Sequence, residues 1–357
     1  MMKWCYRNDT IIERLFKWIC RGGFYLYVPI LKEKQGEKDA LMQLSESTKN
    51  VICPLLEVAP EHFQGYVPSA LENYWRDRYY YLDFPYENIS EGIDNNVFNN
   101  WVINNNSDYM IPVIHLSYDD ETISKVINKF SNGVAIRFTI DEFFEEEFLE
   151  EFNKISTKLE LQNVDLIIDS QDINASNYKK QAASVKSCLI DIPDIHDYNS
   201  IIVVSGSFPT TLDIEKETFL TIGRHEIDFY KLIKNSFTDL NLVFGDYGIN
   251  HWTSFEFIPG MQPSFNIRYT LENNYLVYKG KTLKKGGLKL ENVKKCCIDL
   301  VNSQHFLKKS FSWGDAVIQE ISDGTKGSGG NLTTWRAIGT NHHIEYIVKQ
   351  LSNLFDA

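Results

Sequence analysis

The chain predicts an α/β fold, a (β/α)8 TIM-like barrel with an N-terminal amphipathic helix before it and a C-terminal cap elaboration after it. Eight short apolar runs, most ending in a polar or charged residue, occupy 24–34, 50–58, 78–84, 109–117, 133–139, 164–170, 200–209 and 240–248. Fully buried parallel strands read as near-continuous apolar runs of this kind. The runs are also separated by the dozen or more residues that a parallel crossover needs. Eight such strands close a barrel, and the residues at their C-terminal ends form its binding or active face.

The elements follow in order. Asp9–Cys20 puts Ile11, Ile12, Leu15, Phe16 and Ile19 on one helical face against Glu13, Arg14 and Lys17, with Asn8 or Asp9 as its cap. Such a helix plugs the barrel bottom or packs on the outer ring; docking on a membrane surface or a partner is the alternative. Helices are expected over Asp39–Lys49, Asp119–Phe130 and Ile140–Leu161. The acidic block 145–152 keeps Phe148, Leu149 and Phe152 at helical spacing and reads as a solvated face. Residues 88–106, rich in Asn and Asp, read as an irregular connection. After the eighth run, Ile267–Thr270 and Tyr275–Lys279 form a hairpin, with Asn273 and Asn274 tolerating left-handed turn geometry. Leu290–Leu307 reads as a helix and 322–331 as a Gly-rich flap over the barrel mouth. A last helix is expected to start near Asn341 as N-cap, with His342 and His343 in its first turn and Ile344, Ile347, Val348, Leu351 and Leu354 buried. The expected division is an N-terminal helix over 1–23, the barrel core over 24–255 and the cap over 256–357. The final helix, or the one at 290–307, completes the outer ring.

Length accommodates one barrel plus a cap. Lys and Arg total 36 against 48 Asp and Glu, a net charge of −12, which opposes generic binding to nucleic acid or to an anionic membrane surface. No stretch approaches the roughly 20 apolar residues of a membrane span. Cysteines at 5, 20, 53, 188, 296 and 297 include no CxxC pair and fit reduced thiols in the cytoplasm better than a disulfide frame or zinc site.

The strand ends supply the chemistry-bearing residues. They are Lys32, Lys34 and Glu37 after the first run, Glu57 after the second, Asp83, His115 and Arg137 after the next three, and Asp169 with Gln171 after the sixth. Ser205 and Ser207 follow the seventh run, and Asp246 with Tyr247 the eighth. A charge at the end of an apolar strand is costly to desolvate unless paired or solvated in a cleft. The functional reading gives Glu57, Asp83, Asp169 and Asp246 a catalytic role, binding a divalent ion or acting as acid or base. Lys32, Lys34 and Arg137 would bind an anion, joined by Tyr247 and by Arg268, Trp335, Arg336 and His343 from the cap. The alternative is a structural network of ion pairs across the mouth. His115, a lone histidine among apolar neighbours, reads more readily as a satisfied core group than as a catalyst. Ser205-Gly-Ser207 lacks the GxSxG elbow, and 324–330 lacks the Gly-Lys-Ser/Thr of a phosphate loop. Adjacent His342 and His343 do not share a helix face, so they do not form a metal site by themselves.

Five stretches, YVPILKEKQGE (27–37), PLLEV (54–58), GDYG (245–248), IRYT (267–270) and GNLTTWRAIGTNHHI (330–344), together resemble the phage beta protein family of phages and bacterial mobile elements. The resemblance runs from about residue 24 to the C-terminus. It implies a barrel-like domain and a setting in phage–host conflict, antiviral defence or counter-defence, and brings no catalytic residues with it. Two functions follow. One is a metal-dependent hydrolase or phosphodiesterase-like barrel acting on a small phosphorylated or nucleotide ligand. The other is a non-catalytic module that binds a small anionic ligand or a protein partner of a defence system. An acidic nucleic-acid mimic is disfavoured by the interspersed lysines.

Overall fold

The computed structural model describes residues 25–58, 69–85, 101, 104–105, 107–213, 215, 217–253, 264–282 and 289–355. The N-terminal helix expected over 9–20, and most of the connection 88–106, lie outside the described residues. Among the described residues there are eleven strands: β1 Tyr27–Lys32, β2 Leu55–Glu57, β3 Tyr80–Asp83, β4 Met110–His115, β5 Val134–Thr139, β6 Val164–Asp172, β7 Ser200–Gly206, β8 Thr218–Gly223, β9 Leu242–Asp246, β10 Ser264–Thr270 and β11 Asn274–Thr282. Strands β1 to β7 and β9 close a barrel in sequence order, every pair parallel, so each of the eight apolar runs contributes one barrel strand.

Side chains alternate across a strand. The lumen is therefore filled by Val28 and Ile30 of β1, Leu55 of β2, Tyr81 of β3, Ile111 and Val113 of β4, Ala135 of β5, Ile167 of β6, Ile202 and Val204 of β7, and Val243 of β9, with Tyr247 just beyond it. Their neighbours Tyr27, Leu56, Leu82, Ile114, Ile136, Ile168, Val203 and Phe244 face outward into the larger core beneath the helices. Near the bottom, Asp165 accepts hydrogen bonds from Tyr81 (3.0 Å), Asn199 (2.6 Å) and Ser200 (2.7 Å), which satisfies a buried carboxylate.

The expected hairpin is β10–β11, paired antiparallel. A third strand, β8, pairs with β11 and lies within the connection between the last two barrel strands. TFLTIG gave no apolar run to announce it, because at the sheet edge Thr218–Thr221 stays exposed. The helices Leu290–Val301 and Trp313–Asp323 pack beside this sheet around Phe265, Ile267, Val293, Cys297, Ile318 and Trp335.

The final helix runs Leu332–Phe355, starting well before Asn341. The Asn331 side chain accepts the Thr334 N–H at 2.9 Å and acts as the first-turn cap. Thr333, Thr334 and Gly339 are poor helix formers, and tertiary burial of Trp335 and Ile338 in the cap core overrides that local preference. Farther along, Ile344, Ile347 and Leu351 join the core outside the barrel, where the helix packs on Gln35–Met42 and takes a place in the outer ring. Asn341 is interior: it accepts from the Gly314 N–H (3.0 Å) and donates to the Ala40 carbonyl (3.2 Å). The Gly-rich segment joins two cap helices. Its Gly329 carbonyl accepts the Trp335 indole N–H at 2.9 Å and Gly329 rests on Val293, which ties the segment to the cap core. Among the described residues no helix is long and apolar enough to cross a membrane.

Gly245 allows β9 to approach its neighbours. A Cβ there would lie 2.8 Å from Val204 Cγ2, 3.1 Å from Ile202 Cγ2 and 3.2 Å from the Val28 carbonyl oxygen. Gly245→Ala is expected to lower stability by about 1–3 kcal/mol through overpacking of the lumen. The shift of the urea unfolding midpoint at unchanged slope measures it.

Candidate functional site

The barrel register brings the strand ends together. Lys32 pairs with Glu57, Glu57 with Asp83, and His115 with Arg137. All of these side chains have the inward parity of the lumen, and Arg137 is their hub. Its Nη1 donates to Glu57 Oε1 at 2.8 Å and to Asp83 Oδ2, its Nη2 to Asp169 Oδ2 at 2.6 Å and to the Tyr247 hydroxyl at 2.7 Å, and its Nε to Asp169 Oδ2 at 3.2 Å. Glu57 Oε2 takes Lys32, Asp83 Oδ1 takes His115 Nε2 at 2.6 Å, and Asp169 Oδ1 takes the Gln171 N–H at 2.8 Å. Tyr247 donates its hydroxyl to Asp169. Both oxygens of each of these three carboxylates therefore already have donors.

Gln171 sits at φ 50°, beside the register shift of β6 between Asp169 and Asp172. Such bulges re-aim a side chain next to a site. Burial alone would raise the Asp83 carboxyl, but His115 and Arg137 outweigh it and hold Asp83 at about 2. Burial opposes the Arg137 charge, yet Tyr247, Asp169, Glu57 and Asp83 hold it well above the usual arginine range. Burial likewise pushes the Tyr247 phenol well up, keeping it a proton donor. Trp252 packs over the top of the lumen, and its carbonyl accepts Lys32 Nζ at 2.8 Å.

The expected divalent-ion reading of the acids meets this arrangement. Among the described residues no group of three or more His, Cys, Asp or Glu side chains is placed to hold a metal ion. Glu57, Asp83 and Asp169 are instead turned onto a guanidinium.

Asp246 is a correction to the expected mouth set. It follows Gly245 and precedes Tyr247, so it points to the opposite face of β9. There it accepts from Tyr27 (2.5 Å) and the Gly248 N–H (2.9 Å) and faces His343 Nε2 at 3.1 Å. His343, expected in a first turn near the mouth, lies inside the final helix, fully buried, its Nδ1 2.8 Å from the Thr270 hydroxyl. Burial raises the Asp246 carboxyl, but His343, Tyr27 and Arg224 together bring it below its ordinary value. Trp335, expected as a stacking plane, is buried edge-to-face against Phe265 in the cap core. Strand alternation from Val243 could have separated Asp246 from Tyr247; burial of Trp335 and His343 had no such signal.

A second polar cluster lies where the cap meets the mouth. Arg268 Nη1 donates to the Ile249 carbonyl (2.5 Å) and to Asn250 Oδ1 (3.2 Å), and its guanidinium lies 4.4 Å from the Phe208 ring centroid. Asn250 Nδ2 donates to Glu37 Oε1 at 2.8 Å. Glu37 is 2% exposed, and its Oε2 has no hydrogen-bond partner. Arg336 lies within electrostatic reach of both Glu37 and Arg268, and exposed Lys34 within reach of Glu37. Sequence reasoning missed Asn250 and Trp252, whose positions after β9 gave no charge to mark them, and left Glu37 without a role.

The fold and the mouth define a (β/α)8 barrel protein whose strand-end charges converge on one buried arginine. The family model described as Beta protein matches residues 27–349, and the chain belongs to that family. It is similar to "Protein beta" of Enterobacteria phage P4, 22% identical over 361 residues, an alignment covering 90% of this chain and 92% of the relative. Among solved structures it is similar to alanine racemase of Clostridium difficile 630 in complex with cycloserine, at 12% identity and a TM-score of 0.34. That alignment covers 73% of this chain and 62% of the racemase chain, so the match spans less than two thirds of that structure.

Arg137→Leu is expected to destabilise the fold by about 3–5 kcal/mol at pH 7, because it leaves uncompensated buried carboxylates. Protonating those carboxylates relieves the deficit, so it should shrink as pH falls from 7 to 5. In the unsubstituted protein, Asp83 has a depressed value in the fold. Its contribution is present above the unfolded carboxyl value of 3.8 and is lost as pH falls toward about 2. Urea unfolding of both proteins across this range checks the two trends.

Proposed function

We infer that the protein is a non-catalytic binding module of a phage or mobile-element system. It recognises a small anionic, phosphorylated ligand at the C-terminal mouth of the barrel and acts in phage–host conflict. The observation that carries the binding reading is the division of charge at the mouth. Glu57, Asp83 and Asp169 are committed to Arg137, Lys32, His115 and Tyr247, whereas among the described residues the carboxylate acting on Arg268 and Arg336 at the cap junction is Glu37. A rigid, charge-compensated floor beneath cationic groups suits recognition of an anion, since donors are already oriented before the ligand arrives. Family membership and the phage P4 relative support the phage setting.

A hydrolase remains the second reading because of one pair. His115, at the edge of the mouth, contacts Asp83 Oδ1 through Nε2 at 2.6 Å, an orientation in which a carboxylate can steady an imidazole that accepts a proton.

A thermal-shift screen of the full chain against nucleotides and sugar phosphates, with and without Mg2+ or Mn2+, separates the readings. The binding module predicts a rise in apparent stability that needs no divalent ion, about 2.7 kcal/mol for a ligand at 100 times its Kd. It also predicts that His115→Gln leaves the shift intact with no product formed. Phosphate release that disappears in His115→Gln would establish the enzyme instead.

A further inference from the structure

Among the described residues, the arginine pair at the barrel–cap junction meets less negative charge than it carries. Arg268 comes from β10 and Arg336 from the final helix, and close packing sets both backbones. A Cβ on Gly36 would lie 2.8 Å from the Thr333 carbonyl oxygen and 2.9 Å from Arg336 Cβ, so the helix Gln35–Met42 crosses the final helix at Arg336. A Cβ on Gly339 would lie 3.0 Å from the Arg268 carbonyl oxygen, so the same helix also lies tightly against β10. Arg268 is held further by the Phe208 ring and by the Ile249 carbonyl.

Neither guanidinium is hydrogen-bonded to a carboxylate. Arg268 donates to a carbonyl and an amide oxygen, and Arg336 has no hydrogen-bond or ion-pair partner among the described residues. Burial first, and then the neighbouring Arg336 charge, push Arg268 well below the usual arginine range. Among the described residues Glu37 is the carboxylate acting on both arginines, and it is itself poorly satisfied, with Oε2 buried and unpartnered there. Burial raises its carboxyl above the ordinary value, although Arg336, Lys32 and Lys34 pull it down. Among the described residues, two guanidiniums with Lys34 nearby thus face one imperfectly bonded carboxylate.

We propose that Arg268 and Arg336 form a phosphate subsite across the barrel–cap junction, in which a terminal phosphate of a small ligand takes the place that Glu37 fills electrostatically in the free protein. A phosphate dianion brings three acceptor oxygens and the second negative charge that one carboxylate lacks, and arginine forks match it bidentately. Lys34 stands at the solvent side, where it can meet the incoming charge. Because both arginines belong to the cap while Lys34 and Glu37 follow β1 on the barrel rim, a phosphate bound there ties cap and mouth together. This proposal rests on the binding reading above and names its chemical class and anchoring residues.

The test is isothermal titration of the full chain with inorganic pyrophosphate, ADP and a sugar monophosphate at fixed ionic strength, on the unsubstituted protein, Arg336→Ala, Arg336→Lys and Glu37→Gln. Far-UV circular dichroism and the urea midpoint verify that each variant is folded. Arg336→Ala is expected to weaken phosphate binding at least about tenfold and Arg336→Lys less, since lysine keeps the charge and loses the fork. Glu37→Gln is expected to tighten binding about threefold or more, because it removes the competing negative charge at similar volume. A merely structural Glu37 would not strengthen a ligand. Which of the three compounds binds tightest distinguishes a diphosphate from a monophosphate source. Affinity unchanged in Arg336→Ala, or weakened in Glu37→Gln, overturns the subsite while leaving a ligand elsewhere at the mouth. Absence of binding by all three compounds overturns both the subsite and the phosphorylated-ligand reading.

Discussion

Everything at the mouth of this barrel depends on the buried guanidinium of Arg137. Closure forces Glu57, Asp83 and Asp169 toward one point, and three carboxylates could not be ionised together there without a central cation. The guanidinium fork reaches them from β5, and Lys32 and His115 complete the outer oxygens of Glu57 and Asp83. A lysine at position 137 would offer one compact charge in place of a planar fork and could not span the same set. The arrangement is stiff because each acid is held from two sides. It also gives every oxygen of these three carboxylates a donor from the protein itself.

Outside the barrel, two histidine–carboxylate contacts organise the junction with the cap. Adjacent His342 and His343 point in different directions on the final helix, as successive helical residues must. His343 meets Asp246 of β9, and His342 meets Asp315 of the cap helix Trp313–Asp323 at 2.8 Å. The other nitrogen of His342 lies 2.9 Å from the Thr270 carbonyl oxygen, so the ring is held between the cap helix and the cap sheet. Tyr269 stacks on this imidazole at 3.8 Å and donates to Asp315 at 2.7 Å. Barrel strand, cap sheet and cap helix are thereby bonded through two consecutive histidines. That role for the family-resembling stretch 330–344 is structural at its C-terminal half, while Arg336 at its N-terminal half reaches the mouth.

Much of this was legible before the structure. The eight strands declared themselves because burial on both faces demands unbroken apolar runs. The hairpin β10–β11 declared itself through its two flanking apolar runs; the left-handed turn expected of Asn273 and Asn274 does not occur, since neither has positive φ and Asn274 already belongs to β11. The edge strand β8 did not, since exposure of Thr218–Thr221 frees its composition from that demand. The early start of the final helix was hidden for the opposite reason: Trp335 and Ile338 gain enough burial in the cap to carry Thr333, Thr334 and Gly339 through helical turns they do not favour.

The sequence by itself determined the fold class, the family resemblance, and the strand ends at which charge would gather, because strand length, apolarity and crossover spacing are local properties of a chain. Only the tertiary structure decided which charges meet. Pairing of Glu57, Asp83 and Asp169 on Arg137, the turning of Asp246 away from Tyr247 toward His343, and the nearness of Arg268, Arg336 and Glu37 all join residues far apart in the chain. Barrel closure and the register of the cap against it set those distances, and a distance between remote residues is written in no local pattern.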